Sequence, residues 1–487
     1  MIDLGVIILY FVGMLAIGWY AKATVRTEED FAVAGRRLVP LLYGGTLAAV
    51  VLGGASTVGG IGLGYAYGLS GMWLVVSIGC GVILVSLVFA GRIRRMRLYT
   101  VGEMLELRYG SQARLMTGVV MAVYTLLLCV VSTIACGSVL STVFGIDRFL
   151  AMAIGGGVVL FYSMLGGMWS ITLTDIVQFA IKTVGIFFIL VPLALYRVDG
   201  FDGLSRALPP SAFSLTHVGV DAIVAYFVTY VFGLVIGQDI WQRIATARTE
   251  GIARWAGTAS GVYCLFYGAA GALIGMCAKV LLPAVASRDQ VFSSMVIEVL
   301  PPGLSGLVTA AALAAIMSTA SGALIACATV VSKDIMEMLL GFTRPDGGEG
   351  ESEGRPPTDP HHDLKRSRLF LLCLGVVAIL LAYVLDDVVA ALTIAYCILV
   401  GGLLVAIIGA ILWRRANIQG ALASMIVGTG ATIGAMILGG DIYASMPIFL
   451  GIGSSLATFV GVSLCFPPPL PARLAQWDAR IASSHGA

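Results

Sequence analysis

Thirteen runs of roughly 20 or more mostly apolar residues, the length a helix needs to cross a bilayer, make up most of this chain. They fall at about 2–21, 40–67, 71–91, 115–144, 149–168, 171–196, 217–241, 252–283, 303–332, 369–385, 388–413, 419–439 and 445–466. Of the 487 residues 59% are hydrophobic and only 11% charged, so a water-soluble surface cannot be assembled from them. The fold class this implies is an all-α integral membrane protein. The first run lacks a positive n-region and a small-residue cleavage site, and reads as an uncleaved span. A net charge of +2, with no basic run interleaved with aromatics, argues against nucleic acid as a partner.

Lysine and arginine set the orientation, because they concentrate in cytoplasmic connectors. With the N-terminus outside, 23 of the 29 lie in cytoplasmic segments and 5 in outer loops, leaving Lys182 within a span. The expected location is a cell (plasma or inner) membrane, with the C-terminus cytoplasmic. Residues 341–365, rich in Gly, Pro and acid, predict a disordered cytoplasmic loop. The tail after Cys465 opens with Pro467-Pro468-Pro469 and continues as a short amphipathic run expected on the inner surface.

The second span carries six glycines: Gly53, Gly54, Gly59, Gly60, Gly62 and Gly64. Each costs a helix about 1 kcal/mol relative to alanine, so the pairs flanking residues 55–58 predict a break. Unwound backbone survives in hydrocarbon only where it is buried in protein or lines a wet cavity. Such a break exposes carbonyls and half-helix ends that can hold a cation and a solute. Close helix packing through small residues is the competing reading.

Spans 2–6 and 7–11 form two five-helix sets of inverted topology, each with glycine punctuation in its first helix (Gly233 and Gly237 in span 7) and a long third helix. The organisation this predicts is an extra helix and loop (1–39), a first repeat (40–196), a second repeat (217–413), two extra helices (419–466) and a tail (467–487). Binding is expected at the repeat interface, near the broken helices of spans 2 and 7.

Enzymatic chemistry finds little support. His217, His361, His362 and His485 all lie in loops or the tail, and no P-loop, HExxH or GxSxG occurs. The nine cysteines sit in apolar stretches without CxxC spacing and read as small buried hydrophobes. Hydroxyls inside the membrane are more informative. Ala315, Ser318 and Thr319 share one helical face, where hydroxyls and unwound carbonyls together can surround a small hard cation. Alternatively these hydroxyls bond back to carbonyls one turn earlier.

Several stretches resemble the sodium:solute symporter family of sodium–proline, –pantothenate and –sugar carriers. They are residues 29–36 (EDFAVAGR), 68–71 (GLSG), 100–105 (TVGEML), 162–167 (YSMLGG) with 174–178 (TDIVQ), Gln242-Arg243, and 314–321 with Lys333-Asp334. The resemblance implies ten core helices in two inverted repeats and sodium-coupled transport of a small solute by alternating access. It places the main sodium site on the carbonyls of Leu52, Ala55 and Ala315 and the hydroxyls of Ser318 and Thr319. Asp175 then matches an aspartate on the ion exit route, or of a second ion site together with Ser321. Gly322 stands where the second serine of that site is expected.

Lys182 lies about 10.5 Å beyond Asp175 on the same helical face. Two readings are open: it snorkels toward the cytoplasm, or it meets the ion or solute and modulates or replaces the coupling cation. For the solute, the broken helices offer Gly54, Ser56, Thr57 and Gly59 from span 2, Ser77 from span 3 and Gln238 from span 7. The single asparagine, Asn417, lies in a cytoplasmic connector, which argues against a sugar. The expectation is sodium-coupled symport of a small polar solute, an organic acid or amino acid being favoured. The alternatives are a proton-coupled or sodium-independent carrier with Lys182 in place of the cation, and a transporter-like sensor or a channel.

Overall fold

A computed structural model describes residues 2–339, 360–385, 387–439 and 446–482. Its principal helices are α1 (Ile2–Lys22), α2 (Pro40–Val51), α3 (Gly60–Tyr67), α4 (Trp73–Leu84), α5 (Ser111–Phe144) and α6 (Arg148–Thr183). There follow α7 (Val220–Ile236), α8 (Gln238–Thr246), α9 (Glu250–Leu281), α10 (Leu304–Val330), α11 (Pro360–Ala382), α12 (Val388–Leu412), α13 (Ile418–Gly439) and α14 (Met446–Cys465). Among the described residues, 9 continuous helical stretches are long and apolar enough to cross a membrane, or 10 if the bent pair α7–α8 is one span.

Two of these stretches are too long to be single crossings. Residues Arg148–Arg197 form one run of 50 residues, which as a straight helix would be about 75 Å long, more than twice the hydrocarbon thickness. The run is interrupted at Gly167, whose φ of +50° leaves helical space. A Cβ there would lie 2.5 Å from the Phe31 carbonyl oxygen, so only glycine permits the turn. Ala55–Met96 is divided in the same way by the turn Gly68–Met72. Counting both sides of each turn, the bent pair α7–α8 and α11 gives thirteen helical segments, the number of expected crossings.

The second span breaks at the first of its glycine pairs. α2 ends at Val51, Leu52 (φ −105°, ψ 69°) leaves helical space, and the chain resumes through one π turn at Ala55–Gly59. α7 and α8 meet at Gly237, extended at φ −64° and ψ 130°, with a bend of 47°. α10 is the buried centre, every residue from Val308 to Val330 being buried, whereas in α1 only Ile7, Tyr10, Met14, Gly18 and Ala21 are. That ordering fits a core helix against a peripheral one.

Connectors assigned to one side by charge also bond to one another. On the arginine-rich side, Arg36 reaches the Arg97 carbonyl (3.0 Å), Arg94 that of Ala247 (2.6 Å) and Arg108 that of Trp413 (3.1 Å). On the other side, Asp3 accepts from the N–H groups of Gly303 and Gly306 (2.7 Å each), and Arg197 meets Glu298 (3.3 Å). Part of the expected loop 341–365 lies outside the described residues, and α11 begins within it at Pro360. The tail helix Pro471–Ala482 buries Trp477, and its Arg473 donates to the Tyr109 carbonyl (3.0 Å). Cys373 and Cys465 are exposed, so not every cysteine is a core residue.

Candidate functional site

A helix leaves its last four carbonyls without backbone partners and carries partial negative charge at that end. In α2 these are the carbonyls of Ala48, Ala49, Val50 and Val51, and side chains reach each of them. Lys182 on α6, wholly buried, donates from Nζ to Ala48 (2.9 Å) and Ala49 (3.2 Å). Ser318 on α10 donates to Ala49 (2.9 Å) and to Ala315 of its own helix (2.8 Å). Thr319 donates to Val50 (2.5 Å), and Ser56 to Val51 (3.2 Å). Three segments thus converge on one electronegative helix end.

The Ser318 and Thr319 hydroxyls reach Ala49 and Val50, about one turn before Leu52 and Ala55. The Ala55 carbonyl accepts the Gly60 N–H within the π turn. The approach of α10 depends on Gly53, since a Cβ there would overlap the Thr319 hydroxyl and lie 2.7 Å from its Cβ. Lys182 does not snorkel; it turns inward onto the α2 backbone.

Asp175 is also fully buried, and its Oδ2 is already engaged. Arg243 Nη1 lies 2.7 Å from it, with both side chains almost fully excluded from solvent, and the Thr46 hydroxyl bonds both. Sequence reasoning singled out Asp175 and Arg243 separately but did not pair them. Ser321 donates to the Ser318 carbonyl of its own helix (3.1 Å). A Cβ on Gly322 would overlap Val50 and lie 2.9 Å from Arg243 Nη2, so the space a serine would use there is filled.

Beside the α2 break lies a small cavity lined by Val50, Val51, Gly53, Gly54, Ala55 and Ser56 from the break, Ile78 from α4, and Leu128, Val131 and Ser132 from α5. Asp239, Thr319, Leu392 and Tyr396 complete its wall. It holds little more than one water molecule, so a solute enters only when the walls part. Two of the expected solute contacts, Gly54 and Ser56, are in this lining. The others are engaged elsewhere. Thr57 shares a hydrogen bond with Tyr267 (2.8 Å), and a Cβ on Gly59 would meet Val389 at 2.6 Å. Ser77 bonds back to the Leu74 carbonyl (2.8 Å). Gln238 accepts from the Val101 N–H and donates to the Tyr99 carbonyl (2.9 Å each), tying α8 to a connector.

Asp239, which the sequence expectations do not name, also lines the cavity. Its signal was an aspartate inside an apolar span, two residues after Gly237; ionisable groups at such depth mark functional sites. It is 4% exposed, and its Oδ1 accepts from the Tyr124 hydroxyl at 3.0 Å. Its place in the first turn of α8 contributes about 0.3–1 kcal/mol, and one hydrogen bond to a charge about 1.5–3 kcal/mol. Burying a carboxylate costs several kcal/mol and commonly more, so these contacts leave it short of a full counter-charge.

Comparison with known proteins places this geometry. Residues 31–428 match the family model "Sodium:solute symporter family". The human sodium/iodide cotransporter is 28% identical over 364 residues, and the chain spans 56% of that relative's length. The high-affinity proline transporter PutP of Bacillus subtilis (strain 168) is 25% identical over 491 residues, covering 96% of this chain and 98% of that one. The sodium/pantothenate symporter of Haemophilus influenzae is 26% identical, covering 88% of each. Among solved structures, a Na+-coupled sialic acid symporter in a substrate-bound outward-open state superposes with a TM-score of 0.82 at 20% identity, covering 96% of this chain. That likeness shows a common fold, and with the family pattern running through most of its length this chain belongs to the sodium:solute symporter family, whose members are transporters and not enzymes.

Proposed function

We propose that this sodium-coupled symporter of small solutes holds one sodium ion against the end of α2, using carbonyls of the Ala49–Ala55 segment together with the Ser318 and Thr319 hydroxyls. The observation that supports this most is the convergence of those two hydroxyls on the Ala49 and Val50 carbonyls at a helix break. Val50 and Thr319 also line the adjacent cavity, which we take as the solute site. An ion that orders Thr319 and the break therefore orders one wall of that cavity, which is a direct route for coupling. The Asp175–Arg243 pair and the closed space at Gly322 support a single ion per cycle.

Lys182 enters the cycle as a tethered cation. Its ammonium caps Ala48 and Ala49 when sodium is absent and withdraws when sodium binds. A second reading, transport without sodium and with the Lys182 ammonium permanently in the cation's place, is favoured by the same two hydrogen bonds. Orientation with the N-terminus outside is supported by the charge asymmetry and by the two self-consistent sets of connector bonds. The test is uptake by proteoliposomes of the full chain over a panel of metabolites under an imposed sodium or proton gradient. Accumulation driven by sodium supports the first reading. Accumulation driven by protons and indifferent to sodium supports the second.

A further inference from the structure

Asp239 stands outside the ion and solute contacts considered so far, and its surroundings specify a role. Among the described residues no lysine, arginine or histidine nitrogen lies within salt-bridge distance of it. Arg243, one turn further along α8, is committed to Asp175 and Thr46. The cavity that Asp239 faces is otherwise walled by glycine, alanine, aliphatic, hydroxyl and tyrosine side chains, and contains no other ionisable acid or base apart from the Tyr396 phenol. The α8 N-terminus and the Tyr124 hydroxyl compensate the buried carboxylate only in part. Tyr396 adds a second, independent pointer: its ring lines the same cavity and packs edge-on against Tyr124 at a centroid separation of 5.2 Å. A carboxylate with an aromatic face beside it is the surrounding an organic ammonium group seeks.

We propose that Asp239 is the headgroup anchor of the solute site, so that the transported solute carries a positively charged nitrogen. The ammonium pairs with Asp239 beside Tyr396, and the apolar body of the solute lies against Ile78, Leu128, Val131 and Leu392. A solute whose only charge is negative is repelled; a zwitterion or an amine is accepted. This rests on reading the cavity as the solute site.

The test uses three probes with the same isobutyl body: valine (zwitterion), isobutylamine (cation) and isovalerate (anion). Each is titrated against the purified full-length protein in saturating sodium, and binding is read from the shift in unfolding temperature. Isobutylamine is expected to stabilise the protein, valine equally or more, and isovalerate not at all. Asp239→Asn should weaken isobutylamine binding at least tenfold while leaving the sodium midpoint, titrated without solute, within twofold. Stabilisation by isovalerate alone, or by none of the three, overturns the proposal, and the wild-type probes decide this even if the variant fails to fold. A loss of sodium affinity in Asp239→Asn with amine binding unchanged overturns it too, by making Asp239 an ion ligand. Sodium coupling stands or falls separately, on the sodium titration of the unmodified protein.

Discussion

Lys182 and Ser318, on different helices, meet on one oxygen: the Ala49 carbonyl accepts from the ammonium at 3.2 Å and from the hydroxyl at 2.9 Å. An ammonium and a sodium ion cannot share that position, because at such separation two unscreened positive charges repel strongly in a buried site. Replacing Lys182 by Met keeps most of the stem and removes the competitor. Lys182→Met is therefore expected to raise apparent sodium affinity about tenfold, equivalent to about 1.4 kcal/mol. A sodium titration of uptake checks it, and an unchanged or weakened sodium midpoint contradicts the tethered-cation role.

The buried pair Asp175–Arg243 should behave as a unit. Arg243→Met strands a carboxylate in the core and is expected to cost about 3–5 kcal/mol. Adding Asp175→Asn removes the stranded charge, so the double variant should unfold at a higher temperature than Arg243→Met alone. Thermal unfolding in detergent measures this. Additive losses would show that the two residues do not depend on each other.

Gly53 is needed for the contact between the α2 break and Thr319. Gly53→Ala should push α10 away and weaken apparent sodium affinity by tenfold or more. Gly157→Ala is the control, since nothing lies within 4 Å of a Cβ at that glycine. Equal behaviour of the two variants in the sodium titration would refute the close-approach account.

Gln238 ties α8 to a connector, and its replacement is expected to affect stability more than solute binding. Gln238→Ala leaves the Val101 N–H and the Tyr99 carbonyl without their partner, a loss of about 1–3 kcal/mol. The unfolding temperature should fall while the KM for solute changes less than twofold. A large KM change with stability intact would return Gln238 to the solute site.

Length, apolar runs and charge asymmetry made the membrane class and the thirteen crossings legible, because each crossing must satisfy its own backbone. The Ser318 and Thr319 hydroxyls were legible for a similar reason: polar groups are costly in a span. Their backbone partners were not, since which carbonyls they reach depends on how closely Thr319 packs over Gly53, a tertiary contact that local sequence does not encode. The same holds for Asp175, whose counter-charge lies 68 residues away on α8. Gln238 and Ser77 bond to backbone groups of the protein, partners that composition does not reveal because it reports a polar group without its direction. Asp239 was visible as an aspartate inside an apolar span, and only the cavity around it gives it a role.

In the proposed cycle the α10 hydroxyls and the α2 end bind the coupling sodium. The most direct measurement is the sodium dependence of solute uptake by proteoliposomes carrying Ser318→Ala with Thr319→Ala, compared with the unmodified chain. The midpoint is expected to rise at least tenfold, about 1.4 kcal/mol, with the protein still folded by its unfolding temperature. Uptake with an unaltered sodium midpoint in that double variant would contradict it.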